Sequence, residues 1–188
     1  MEALVKEFGH PTFTPFTVIA ARLFLAALFG TLIGVEREWR SRSAGLRTHI
    51  LVCVAAATFG ILTVEIAHAP MFQDDAIKEA VRVDPIRAVE AITAGIAFLA
   101  AGSIIFAKGE VHGLTTGAGM WLAGAIGLAT GFGFWQLAVL GTALVLVVLG
   151  LVRIFEGRPP SGDVEPTGGN SSKREAAQST SARPRTQR

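Results

Sequence analysis

Five long apolar runs, separated by short polar joints, decide most of what this chain can fold into. The runs fall at about 16–35, 49–68, 87–107, 114–130 and 134–155. Each is close to the ~20 residues that a helix needs to cross a ~30 Å hydrocarbon core. With no water at that depth, each crossing segment must satisfy its own backbone hydrogen bonds, which selects helices over loops and open sheets. The expected fold is therefore all-α, a polytopic helical membrane bundle of five transmembrane helices. Composition agrees: charged residues make up 17% of the 188, against ~25% in soluble domains, and mean hydropathy is +0.48. The first run does not have the flanks of a cleaved signal peptide, since Lys6 alone precedes it and the positive charges come after it.

Those positive charges set the expected orientation. The joint at 36–48 holds Arg37, Arg40, Arg42 and Arg47, the joint at 108–113 holds Lys108, and the tail holds Arg158, Lys173, Arg174, Arg183, Arg185 and Arg188. Five spans place all three on one face, and the excess of Lys and Arg makes that face cytoplasmic. The other face carries Lys6, Lys78 and Arg82. Three regions result: an extracytoplasmic segment 1–15, a membrane domain 16–156, and a cytoplasmic tail 157–188. The tail is rich in Pro, Gly, Ser, Thr and Arg. It has too little apolar surface to offset chain entropy, so disorder is expected there.

Helices in lipid associate through close backbone contact and polar pairing, because lipid is as apolar as leucine. Small residues four apart supply the contact. The first run has Ala26, Gly30 and Gly34, and the fourth has Gly119, Ala123, Gly127 and Gly131. The third has Ala91 with Gly95, and Ala94 and Gly102 on a second row. These rows suit helix packing within one bundle, and they also suit a homodimer.

Charges inside the runs need partners. Arg22, Glu65, His68, Arg87 and Glu90 all fall toward the outer ends of their spans. Glu65 and His68 are three apart, as are Arg87 and Glu90, so each pair shares a helix face. One reading is structural: snorkelling side chains and ion pairs that fix register. The sharper reading is a polar patch that binds an ion or a partner helix, with Arg22 paired to Glu65 or Glu90. His49 and Cys53, one turn apart, are too few for a metal site and suit core packing. A single cysteine excludes an intrachain disulfide. No metal or cofactor site is expected, and no basic helix with interleaved aromatics points to nucleic acid.

Two segments carry more than hydropathy. In GTLIGVEREWRSRSAGLRT, at 30–48, a small-faced helix runs into alternating acid and base. Glu36, Arg37, Glu38 and Arg40 are placed to form ion pairs, and Gly45 permits a turn. The second segment, 84–133, reads as a glycine-rich helical hairpin with an HGLTT joint, where Thr115 and Thr116 can cap or back-bond the next helix.

At these residues the chain resembles the MgtC/SapB family of bacterial inner-membrane proteins, over roughly 23–155. The family's ER…AGLRT element is matched by Glu36, Arg37, Ala44, Gly45, Leu46, Arg47 and Thr48. Its R…GIGFLGAG-x-I element is matched by Arg87, Gly95, Ile96, Phe98, Leu99, Ala101, Gly102 and Ile105. Its GLTTAA-x-x-W element is matched by Gly113, Leu114, Thr115, Thr116, Ala118 and Trp121. Ala97 and Ala100 replace usual glycines, Glu90 and Ala91 replace a small residue and a glutamine, and Gly117 replaces an alanine. The soluble C-terminal domain of some members has no counterpart. The resemblance implies a multi-pass inner-membrane protein tied to adaptation to low magnesium and to virulence, one that regulates other membrane proteins rather than catalysing a reaction. Its partners would then be the lipid bilayer and either another membrane protein or a second copy of itself. A Mg²⁺ channel or transporter is the alternative. The absence of P-loop, nucleophile-elbow and H-E-x-x-H motifs agrees with a non-enzyme.

Overall fold

The computed structural model describes residues 12–40, 42–72, 84–107 and 110–155. The expectations for residues 1–11 and for the tail at 157–188 lie outside these. The described chain is mostly helical, as expected of an all-α membrane protein. It has five α-helices: α1 (Phe16–Trp39), α2 (Leu46–His68), α3 (Pro85–Gly102), α4 (Leu114–Phe132) and α5 (Trp135–Phe155). A 3₁₀ turn at Pro70–Phe72 comes after α2. Of the five, α1, α2 and α3 are long and apolar enough to cross a membrane by length and composition.

Local chemistry fixes the boundaries. Pro15 precedes α1 and supplies no N–H that the helix would leave unpaired. The helix then runs to Trp39, four residues past the apolar run, because Glu36, Arg37 and Glu38 are good helix formers. Asp84 caps α3 by accepting the Ile86 N–H at 2.9 Å, with Pro85 in the first position. Both ends of α4 are left-handed glycines, Gly113 and Gly133, each with φ of 90°.

The chain departs from two expectations. The third helix ends at Gly102 rather than near 107, and a two-stranded hairpin takes its place beyond that point. The strands β1 (Ile105–Ala107) and β2 (Glu110–His112) pair antiparallel, with Phe106 opposite Val111. β-branched and aromatic residues around a two-residue connection favour this pairing over another turn of helix. Thr115 and Thr116 do not cap α4 either. They lie inside its first turn, the cap position belongs to Gly113, and no side chain caps that end.

The packing rests on glycine. A Cβ on Gly30 would come within 2.8 Å of His49 O and Ile50 Cα, and one on Gly34 within 3.0 Å of Leu46 backbone. Gly127 and Gly131 press on the backbone of Cys53 and Ala57 in the same way. Thus α2 is clasped between α1 and α4 at backbone contact, with Ala26, Ile33, Cys53, Ala57 and Ala123 forming the core between them. From α5, Ala138 and Val145 join that core. From α3, Ile96 packs against Gly124, while Ala100 joins a small cluster with Ala44 and Met120.

Candidate functional site

Gly34 meets Leu46, and Gly119 meets His49, so the α1–α2 joint and the N-terminal part of α4 come together. That joint lies at one end of the bundle. Arg37 is 3% exposed, and its Nε donates to Glu36 Oε2 at 2.6 Å. Arg40 Nε sits 2.6 Å from Glu36 Oε1, an ion pair rather than an aligned hydrogen bond. Arg40 Nη2 also donates to Leu149 O at 3.2 Å, tying α5 to the joint. Glu36 is thus held between two arginines. The expected ion pairs form at Glu36, Arg37 and Arg40, but Glu38 does something else. Its Oε2 accepts the Leu46 N–H at 3.0 Å, the first orphan donor of α2.

This explains Gly45. Its φ of −102° needs no glycine, so a turn is not the reason for it. A Cβ there would occupy the space of the Glu38 carboxylate. One turn on, His49 is fully buried between Gly34 and Gly119. The Gly45 carbonyl can only accept, so at 2.9 Å it fixes a proton on His49 Nδ1. Nε2 then has no partner among the described residues. Of the other motif residues, Thr116 is buried, Leu46 and Thr48 are half-buried, and Arg47, Leu114, Thr115 and Trp121 are exposed.

The opposite end corrects the proposed pairing of Arg22 with Glu65 or Glu90. Arg22 Nη1 donates to Gly131 O at 2.9 Å, answering an orphan carbonyl in the last turn of α4. Glu65 accepts two backbone N–H groups, from Phe13 at 2.8 Å and Thr14 at 2.9 Å. The Phe13 ring stacks on His68 at 3.7 Å. Glu65 and His68, three apart on α2, together hold the entry to α1. No composition signal marks Phe13 and Thr14 as their partners.

The third helix differs from the rest. Arg87, Glu90, Phe98, Gly95 and Gly102 are exposed, and nothing lies within 4 Å of a Cβ built on Gly95 or Gly102. The other small rows, Ala26–Gly30–Gly34 and Gly119–Ala123–Gly127–Gly131, are spent inside the bundle. Between α3 and α2 runs an apolar groove of about 510 Å³, lined by Ala91, Gly95 and Phe59 among others. Among the described residues no group of three or more His, Cys, Asp or Glu gathers as a metal site.

Comparison with known proteins gives this arrangement its relatives. Residues 23–158 match the MgtC family. The chain is 39% identical over 140 residues to Protein MgtC of Brucella abortus (strain 2308), covering 74% of this chain and 53% of the relative. It is 37% identical over 128 residues to "Putative magnesium transporter YhiD" of Escherichia coli (strain K12), covering 68% and 57%. It is 40% identical over 126 residues to the uncharacterized slr0014 of Synechocystis, covering 67% and 48%. The chain thus spans about half the length of the curated relatives it matches. No solved structure is significantly similar to it.

Proposed function

The chain belongs to the MgtC family, and from that premise we propose that it is a non-enzymatic, five-span protein of the bacterial inner membrane that regulates other membrane proteins when magnesium is limiting. In this reading the N-terminus is outside, and the joint carrying Glu36, Arg37 and Arg40 faces the cytoplasm with the C-terminus. The lysine and arginine distribution supports that orientation. Adaptation inside a host, the setting implied by the family resemblance, is the same response read in another environment.

One observation carries regulation over transport: the acidic side chains of α1 and α2 are already engaged. Mg²⁺ takes oxygen ligands in an octahedron and binds through one or two carboxylates while keeping several waters. Glu65 is committed to two backbone N–H groups, and Glu36 to two arginines. The backbone-to-backbone contacts of α2 with α1 and α4 fill the centre of the bundle, where a conduction path would run.

The alternative, a Mg²⁺ channel or transporter, is favoured by the magnesium transport written in the name of YhiD. Reconstitution in liposomes separates the two. The regulator gives no Mg²⁺ flux above empty vesicles, and crosslinking in native membranes recovers a membrane protein under magnesium-poor growth. Flux that falls in Glu65→Gln or Glu90→Gln identifies the transporter instead.

A further inference from the structure

The outward face of α3 carries a charge pattern that acyl chains do not satisfy. Arg87, Glu90, Ala94, Ala97 and Ala101 succeed one another at spacings of three and four, and all five are exposed. That spacing draws a single straight seam along a helix, the geometry of a helix–helix contact. The same spacing on α5 gives Leu137, Leu140, Leu144, Val147 and Leu151, also exposed, at 53–61%. The α5 seam is made of large aliphatic side chains, which is what a surface facing acyl chains requires. The α3 seam has none. It pairs three alanines, which let another backbone approach closely, with one base and one acid.

Glu90 decides that this face is covered. It lies five residues into α3, about 7.5 Å along the helix from Pro85. The embedded charges of the other helices have partners: Arg22 on Gly131 O, Glu65 on Phe13 and Thr14. Among the described residues, no ion pair involves Arg87 or Glu90, including with each other. An acid left facing lipid is costly, and such residues pair with one another across helices.

We propose that this face of α3 docks on the same face of a second copy of the chain. Two copies inserted the same way are related by a two-fold axis along the membrane normal, so like residues meet at equal depth. Arg87 and Glu90 are three residues apart, or about 4.5 Å in height. Arg87 of each copy therefore reaches Glu90 of the other, and two ion pairs form from one pattern. This self-complementarity selects a second copy over an unrelated helix. It also gives a use to α3, of which only Ile96 and Ala100 are buried, with Val89 and Ile92 partly buried against the core. The proposal rests on α3 crossing the bilayer, a part of the functional reading above.

Cysteine crosslinking in native membranes tests it. In a Cys53→Ala background, single cysteines at Ala94, Ala97 and Ala101 are expected to form disulfide-linked dimers on mild oxidation, and one at Val147 is not. Glu90→Arg lowers the crosslinked fraction about tenfold. The double swap Arg87→Glu, Glu90→Arg restores it, because each copy again presents one acid and one base. Carbonate extraction of the same cells reads membrane insertion separately. Insertion without crosslinking at any of the three alanines overturns the second-copy interface and leaves the membrane reading intact. Crosslinking that Glu90→Arg does not weaken, or that the double swap does not restore, also overturns it. A chain lost to the soluble fraction removes both.

Discussion

Replacing Gly127 with alanine adds one methyl group where the backbones of α2 and α4 meet. The new Cβ would overlap the carbonyl oxygen of Cys53 and lie 2.8 Å and 2.9 Å from its carbonyl carbon and Cα. Carbon atoms pack best at ~3.5–4.0 Å. These neighbours are backbone atoms of α2 and cannot swing aside, so α2 and α4 must part by roughly 0.7 Å or more along this line. Overpacking of that kind costs about 1–3 kcal/mol. We expect the upper half, ~2–3 kcal/mol, because the contact is helix axis to helix axis and the strain spreads to Gly131 on Ala57. Gly95→Ala is the matched control. It adds the same methyl group where nothing lies within 4 Å, and should change stability by no more than ~0.5 kcal/mol. Unfolding in mixed detergent micelles, with helix content measured against SDS fraction, reads both. The reasoning fails if Gly127→Ala unfolds with wild type, or if Gly95→Ala falls as far as Gly127→Ala.

Single contacts elsewhere give three further expectations. Arg22→Ala removes the donor to Gly131 O and should cost ~1 kcal/mol in the same titration, while Arg22→Lys recovers part of it. Glu65→Gln leaves two N–H groups without a charged acceptor, so amide exchange at Phe13 and Thr14 should accelerate while the α2 centre around Cys53 stays protected. Glu38→Ala strips the cap from α2 and should cost ~1 kcal/mol, with exchange at the Leu46 amide rising first.

Much of this architecture was legible in the chain. Hydropathy located all five helices, because a long apolar run satisfies its backbone most completely as a helix, whose hydrogen bonds lie within the segment. The glycine rows of the first and fourth runs marked helices in close approach, though not which helices met; that both clasp α2 is a property of topology. The sequence misled where a local signal competed with hydropathy. Ile105 and Phe106 prolong the apolar run, yet they pair with His112 and Val111 as strands. Arg22 offered two acids as partners by composition, but the group beside it is a carbonyl at the end of α4. Helix-end carbonyls leave no mark in a residue count. Glu38 looked like one charge among four, and its use as a cap across eight residues obeys no capping-box spacing. The orphan Nε2 of His49 depends on Gly119 facing it from another helix, so it too was out of reach.

Reporter fusions after Arg42 and after Arg188 test the central claim most directly. A fluorescent protein that folds only in the cytoplasm should light up at both positions, and alkaline phosphatase should be inactive at both. Opposite signals at the two sites would mean an odd number of crossings between them, and the five-span bundle with its cytoplasmic joint would be wrong.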